Sequence, residues 1–182
     1  MDLVCTPNLD SLLSSANLLL DTCIIIEASK YLEIDDYLNR LSMDGCSFLT
    51  IPSVKEEFIS NTKNNKEYEE LSKYFDSLQI TFLPNTEKRL LDRKEGDFYI
   101  ALNRCNRRIN PGHVDRMLLA IPYLYRRSSE DIYLMTLNHK DVPRELYERI
   151  GFISYDVGEF RNIGVYRFKV DKFEHMVRNA ED

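Results

Sequence analysis

Three consecutive leucines, Leu18 to Leu20, run directly into Asp21, and this short stretch limits the possible folds more than any other part of the chain. A continuous apolar run of this length predicts a strand buried on both faces, which is typical of parallel sheets covered by helices. An aspartate directly after such a strand stands at the carboxyl edge of the sheet, where open α/β folds keep their ligand and metal sites. The stretch therefore predicts an α/β protein and makes Asp21 the first candidate functional residue.

Strand-like and helix-like segments alternate along the rest of the chain. Apolar runs predict strands at residues 18–21, 46–51, 80–83, 132–136, 152–157 and 165–170. Helical spacing predicts helices at 34–43, from 53, at 68–78, at 86–104, from 114 up to a kink or end at Pro122, through Leu146 and Ile150, and at 171–180. This alternation implies a central, mostly parallel sheet flanked by helices, with the strand ends on one shared edge.

The length of 182 residues favours one domain that is long enough to bury a core. We interpret residues 1–182 as a single domain with a helical leader at 1–16 and a C-terminal strand–helix extension at 158–182. Thr6 and Pro7 predict the start of the leader helix, as its N-cap and first helical residue.

The composition is that of a globular protein, with 43% apolar and 30% charged residues. No apolar run reaches the roughly 18 residues that a membrane span requires. The first residues carry an acid where a secretory signal carries basic residues. We therefore expect a cytoplasmic protein without a membrane partner. The four cysteines lack a CxxC pair, which favours reduced structural thiols.

The net charge of −6 argues at first against a nucleic-acid partner, but the charges are unevenly distributed. Arg104, Arg107, Arg108 and Arg116 belong to a basic stretch of the sequence that contains little acid. Such a surface can hold phosphates even when the whole chain is acidic. A solvated helix face is the alternative.

Four carboxylates are predicted to meet at the carboxyl edge of the sheet: Asp21, Glu57, Asp115 and Asp141. They follow predicted strands or stand near the start of helices that follow them. Four carboxylates in one cleft repel one another unless a cation lies among them, and oxygen-only ligands suit Mg²⁺ or Mn²⁺. Metal sites of this kind hydrolyse phosphodiesters by activating water and stabilising charge on the phosphate.

Each aspartate also has a purely structural interpretation. Asp21 and Asp141 could be helix N-caps. Asp115 could be an acid in the first turn of a helix, where the helix dipole favours it. Taken singly these interpretations are favoured, whereas the joint pattern of acids favours a site.

Glu56 and Glu57 compete for the fourth position. Ser53 and Glu56 fit the capping-box pattern, which gives Glu56 a structural role and leaves Glu57 for the site. The two glutamates could nevertheless exchange roles.

Four short motifs resemble those of PIN-domain ribonucleases, most closely the VapC-like toxins of toxin–antitoxin pairs. They are the hydrophobic-Asp-Thr motif at 18–22, the acid before an apolar residue at 52–58, the aspartate before Leu-Leu-Ala at 115–120, and the T-x-N-x-x-D pattern at 135–142. Their order and their placement on the strands carry the resemblance, which covers most of the chain.

The resemblance implies a three-layer PIN-like fold and a metal-dependent endoribonuclease. It implies that the four acids bind Mg²⁺ or Mn²⁺ and that Thr136 and Asn138 support the site. An RNA substrate, an antitoxin protein and a homodimer are the implied partners, and the arginines of the basic stretch would contact RNA.

Other functions fit the sequence less well. A haloacid-dehalogenase phosphatase needs a second acid two residues after Asp21, where Cys23 stands. A nucleotide-binding module needs a Gly-rich loop, which is missing after the first strand. A catalytically inactive PIN-like module that binds RNA or protein stays open. His113 and His139 are expected to be exposed loop residues rather than ligands.

Overall fold

The computed structural model describes residues 2–60, 62, 64–83, 101, 105, 112–125 and 132–178. Within these residues, seven strands form one sheet that seven helices accompany. The strands are β1 (Val4–Cys5), β2 (Asn17–Leu20), β3 (Ser47–Thr50), β4 (Thr81–Phe82), β5 (Ile132–Thr136), β6 (Tyr147–Asp156) and β7 (Phe160–Phe168). The helices are α1 (Leu9–Leu13), α2 (Thr22–Lys30), α3 (Leu32–Met43), α4 (Pro52–Ser60), α5 (Asn65–Ser77), α6 (His113–Leu124) and α7 (Val170–Arg178). In the described part of the chain no helix has the length and apolarity to cross a membrane.

The sheet is mixed, with the strand order β1-β6-β7-β5-β2-β3-β4. Strands β5, β2, β3 and β4 pair in parallel, whereas β1, β6 and β7 pair antiparallel. The α/β class is confirmed, but the prediction of a mostly parallel sheet is wrong. The three-residue connection from β6 to β7 permits only a hairpin, because a parallel pair needs a crossover of a dozen or more residues.

The helix predicted through Leu146 and Ile150 is wrong, because Ile150 lies within strand β6. Beyond a register shift between Arg149 and Gly151, β6 pairs with β7 as far as Asp156. This long-range pairing outweighs the local helical spacing, as tertiary context often does.

The N-terminal helix begins at Leu9 rather than at Thr6 and Pro7. Thr6 instead pairs with β6, where its hydroxyl oxygen accepts a hydrogen bond from the Phe152 N–H at 2.9 Å. The preceding residues Val4 and Cys5 form the short strand β1, which pairs antiparallel with β6. A side chain that bonds to a strand in this way is not available to cap a helix.

Prolines mark one helix start and one helix end. Pro52 is the first residue of α4, the position that its fixed φ favours. Ser53 therefore lies inside the first turn, so the predicted capping box with Glu56 does not form at this position. Pro122 lies in the last turn of α6, which ends two residues later at Leu124.

The first predicted strand is confirmed as the most deeply buried part of the sheet. Leu18, Leu19 and Leu20 are each 0% exposed. Strand β2 lies between β3 and β5, and helices cover this part of the sheet, so both faces of the strand are shielded from water. The predicted helix at 86–104 lies outside the described residues except for the buried Ala101.

A buried carboxylate ties helix α2 to the β6–β7 hairpin. Glu27 is 3% exposed and accepts hydrogen bonds from the Arg161 guanidinium, at 2.8 Å, and from the Tyr155 hydroxyl. A buried charge persists only when it is paired and hydrogen-bonded. These contacts fix the helix that begins directly after Asp21.

We predict that Tyr155→Phe lowers the free energy of unfolding by about 1–3 kcal/mol, because Glu27 loses a donor to a buried charged group. Urea unfolding measures the change. Tyr68→Phe, on an exposed ring of α5, is the matched control and should stay within about 0.5 kcal/mol of wild type. Equal stability of the two variants would contradict the proposed role of the Tyr155 hydroxyl.

Candidate active site

Asp21 lies where strand β2 ends, beside the end of strand β5. The parallel register pairs Leu20 with Met135, and the Asp21 N–H donates to the Met135 carbonyl at 3.2 Å. Asp21 occupies the N-cap position of α2, but its side chain makes no capping hydrogen bond. Its Oδ2 atom instead accepts from the Thr136 hydroxyl at 2.5 Å and from the Cys23 thiol at 3.1 Å. The structure therefore does not support a capping role for the Asp21 carboxylate.

The loop after β5 links Thr136 to Asp141 through Asn138. The Thr136 hydroxyl oxygen accepts from the Asn138 N–H at 2.9 Å, and the Asn138 side-chain amide donates to Asp141 Oδ2 at 2.5 Å. Residues 142–146 form turns and then enter β6, so Asp141 does not cap a helix. The two predicted supporting residues thus contact two of the predicted acids.

Glu57, rather than Glu56, faces the site. The Thr22 hydroxyl at the start of α2 donates to Glu57 Oε2 at 2.6 Å. Glu57 and Thr22 line the same cavity, and Glu56 is exposed elsewhere on α4. This contact between helices α2 and α4 decides between the two glutamates on geometric grounds.

Asp115 in the first turn of α6 has a structural role. The N–H of Gly112, the N-cap residue, donates to Asp115 Oδ2 at 3.0 Å. The structural interpretation of this residue therefore holds, although the hydrogen bond engages only one carboxylate oxygen.

The pKa of Asp115 indicates that the four acids share one electrostatic environment. Burial raises the pKa of this carboxyl, and the negative charges of Asp21, Asp141 and Glu57 raise it further. The hydrogen bond from the Gly112 N–H acts in the opposite direction, toward a lower pKa. Like charges influence one another in this way only when they lie close together.

Two adjoining cavities complete the acidic cleft. The smaller one is lined by Asp21, Asp115 and Asp141, together with Thr136 and Asn138 among others. The larger one, with a volume of about 380 Å³, is lined by Asp21, Asp115 and Asn138 and extends to Glu57. The structure therefore brings all four predicted acids to one surface, which we call the acidic cleft.

The donors in the acidic cleft fit a hard divalent cation in their chemistry. Across the described residues, no group of three or more His, Cys, Asp and Glu side chains forms a cage that could hold a metal ion. Mg²⁺ does not require such a cage, because it keeps several waters and is commonly held by one or two carboxylates and the substrate phosphates. The oxygen-only donor set fits Mg²⁺ or Mn²⁺ on these terms.

Cys23 lines the larger cavity of the acidic cleft, whereas its sequence context predicted only a reduced structural thiol. Its thiol donates to Asp21 Oδ2 and its sulfur accepts from the Leu137 N–H at 3.3 Å. Burial, followed by the charge of Asp21, raises the pKa of this thiol, so it stays protonated and remains a donor. Its position two residues after Asp21, in the first turn of α2, is the only sequence signal for this role.

The structure tests only some of the predictions made for the arginines and histidines. Arg104, Arg107 and Arg108 lie outside the described residues, and Arg116 lies on α6 without lining either cavity of the acidic cleft. His113 is exposed, as predicted, but it is the first residue of helix α6 rather than a loop residue.

The prediction of an exposed His139 is wrong, because both of its ring nitrogens are engaged. Its Nε2 lies 2.7 Å from the Asn162 carbonyl, which can only accept, so Nε2 donates there. In the neutral ring Nδ1 then accepts from the Tyr166 hydroxyl at 2.6 Å. His139 is therefore a structural residue of the loop that carries Asp141.

Comparisons with protein-family models, with curated proteins and with solved structures gave no match. The resemblance to PIN-domain ribonucleases is therefore carried by the four sequence motifs.

We predict that Asp115→Asn raises the melting temperature at neutral pH, because it removes a half-buried charge that the other three acids also repel, while Asn can still accept from Gly112. The pKa of Asp115 is higher in the folded than in the unfolded chain, so wild-type stability falls as pH rises through that interval. The advantage of the variant should shrink toward acidic pH, where Asp115 is protonated in both states. Thermal unfolding in EDTA across pH measures it; a variant that is less stable at neutral pH would contradict the assigned repulsion.

Proposed function

We propose that this protein is a metal-dependent ribonuclease that hydrolyses RNA phosphodiester bonds in the acidic cleft. The observation that carries the proposal is the acidic cleft itself, whose adjoining cavities are lined by Asp21, Asp115 and Asp141 and extend to Glu57. Burial raises the pKa of Asp115, and the charges of the other three acids raise it further, as expected of like charges held close together. A chain keeps such mutual repulsion at a cost in stability, and sites of this kind cluster where chemistry is done. A bound cation relieves the repulsion.

Asp21, Asp115 and Asp141 line the smaller cavity, and one or two of them would hold the metal together with waters and substrate phosphates, with Glu57 at the edge of the cleft. Bound Mg²⁺ or Mn²⁺ supplies a nucleophilic water at neutral pH and neutralises charge on the phosphate oxygens. The hydrogen bonds described for the three aspartates all engage Oδ2, so Oδ1 is the oxygen of each carboxylate that is suited to bind a metal.

Neighbouring side chains hold the carboxylates in place before any ligand binds. Thr136 and Cys23 fix the Asp21 carboxylate, and Asn138 fixes that of Asp141. Outer contacts of this kind orient metal ligands and tune their basicity. The same hydrogen bonds keep the like-charged groups from turning away from one another.

The choice of RNA as substrate rests on the resemblance to PIN-domain ribonucleases, as do a three-layer PIN-like fold and a toxin role with an antitoxin partner. The mixed sheet with helices is compatible with that architecture. A homodimer belongs to the same set of family expectations.

One observation favours a second candidate, a PIN-like module that binds RNA or protein without cleaving it. Each acid already accepts a hydrogen bond from a neighbouring donor, and the described residues contain no three-ligand metal group. In that case the acids would serve the stability of the loops and helix starts.

We predict that purified protein cleaves single-stranded RNA when Mg²⁺ or Mn²⁺ is added and that EDTA abolishes cleavage. Asp21→Asn should lower the rate by roughly a hundredfold or more, since even outer partners of metal ligands are worth about 10–100-fold. Glu57→Gln should lower it, and Glu56→Gln is the matched control on the next residue.

Two readouts distinguish the candidates. Binding of Mn²⁺ should raise the melting temperature of wild type more than that of Asp21→Asn, because only the folded state holds the metal. Cleavage at equal rates by wild type and Asp21→Asn would indicate a contaminating nuclease. Absence of both cleavage and a Mn²⁺-dependent shift would exclude the ribonuclease and leave the binding module.

The toxin role predicts that expression of the intact chain arrests bacterial growth and that expression of Asp115→Asn does not. The reason is that uncontrolled RNA cleavage removes essential transcripts, while the variant lacks one of the cleft carboxylates proposed to act on the metal. Growth curves after induction, with immunoblots at equal protein levels, measure the effect. Normal growth with soluble, RNA-cleaving wild type would favour an RNA-processing enzyme instead.

A further inference from the structure

A separate cavity lined by basic and aromatic side chains adjoins the acidic cleft. It has a volume of about 380 Å³ and is lined by His139, Val142, Arg144, Tyr147, Arg149 and Tyr166. Val142 also lines the smaller cavity of the acidic cleft, so the two cavities share a wall. We call this basic cavity the arginine pocket.

The aromatic wall of the arginine pocket is held firmly. His139 bonds through one nitrogen to Tyr166 and through the other to the Asn162 carbonyl. Gly164 permits this packing, because a Cβ there would lie 2.9 Å from His139 Cε1 and 2.6 Å from Tyr166 Cε2. The two rings therefore pack directly against the backbone of β7, which together with the hydrogen bonds fixes this wall of the pocket.

The positive charges of the pocket are not neutralised by carboxylates. In the described part of the chain neither Arg144 nor Arg149 forms an ion pair, and both are exposed. Burial raises the pKa of Tyr166, and the charges of Arg149 and Arg144 oppose that rise. Both guanidinium groups are thus close enough to act on the Tyr166 hydroxyl.

The strand register explains why these groups meet and supplies a control residue. Arg149 of β6 stands opposite Tyr166 of β7, so their side chains share one face of the sheet. The neighbouring pair, Glu148 and Arg167, points to the other face and forms an ion pair at 2.8 Å. Arg167 is therefore a cation on the same hairpin that lies outside the pocket.

We propose that the arginine pocket binds a backbone phosphate of the RNA whose scissile bond lies in the acidic cleft. Guanidinium groups match phosphate oxygens in geometry, and such contacts position a nucleic acid without reading its sequence. The acidic cleft alone repels a polyanion, so the strand is held by the two arginines on the adjoining wall, which no described carboxylate pairs. This inference rests on the proposed ribonuclease function.

The test measures binding of a fluorescently labelled single-stranded RNA of about twelve nucleotides, within the range of single-strand binding sites. Anisotropy is read in EDTA, and a gel verifies that the RNA stays intact. One phosphate contact contributes about −0.7 to the salt slope, so Arg149→Gln or Arg144→Gln should weaken binding about fivefold at about 0.1 M salt. Arg167→Gln should bind like wild type, and Arg149→Lys should retain most of the affinity.

The outcomes separate this inference from the proposed function. If both Gln variants match Arg167→Gln in affinity and salt slope, the phosphate site is wrong, whether or not the protein cleaves RNA. If a labelled mononucleotide binds as tightly as the RNA, the pocket is a nucleotide site and the inference is also wrong. If binding depends on the arginines but wild type never cleaves with Mg²⁺ or Mn²⁺, the pocket stands and the ribonuclease proposal fails.

Discussion

The parallel pairing of β2 with β5 is the constraint on which the rest of the site depends. It sets Leu20 against Met135 and so brings Asp21, the next residue, beside Thr136. A shift of one residue would turn every side chain of β2 to the opposite face of the sheet. Because both faces are covered, the three successive leucines would be buried in either register and oppose such a shift only in part. The hydrogen bond from the Asp21 N–H to the Met135 carbonyl and the bond between the two side chains therefore fix the register where it matters. The acid and the loop that carries Asp141 follow from that alignment.

The acidic cleft combines firm positioning with electrostatic conflict. Thr136, Cys23, Asn138 and Thr22 each donate to a carboxylate, which stabilises the charged form locally. Burial nevertheless raises the pKa of Asp115, and repulsion by Asp21, Asp141 and Glu57 raises it further. The joint placement of four acids along one cleft is what separates a site from four independent helix and loop contacts.

The sequence was most informative where chemistry and position coincide in one short run. The buried strand ending at Asp21 could be predicted because three successive leucines have few alternatives, and the T-x-N-x-x-D pattern identified the residues that contact Asp21 and Asp141. Strand β6 could not be predicted from local spacing, since its conformation depends on pairing with β7 across a short turn. The engagement of His139 depends on Tyr166 and Asn162, which lie more than twenty residues away. Long-range contacts of this kind leave no local pattern.

The antiparallel half of the sheet carries a local positive charge that the net negative charge of the chain does not reveal. A chain with a charge of −6 has little long-range attraction for RNA, so the RNA binding that we propose would have to come from local cations. The β6–β7 hairpin provides them next to the cleft, because the register that pairs Arg149 with Tyr166 also keeps Arg149 on the opposite face from Glu148. On the other face Glu148 forms an ion pair with Arg167, so Glu148 does not neutralise Arg149. Through Val142, which belongs to both cavities, the acids and the arginines form one continuous surface of opposite charges. A ligand that carries phosphates and brings divalent cations with it matches both halves of that surface, whereas an uncharged or cationic partner matches at most one.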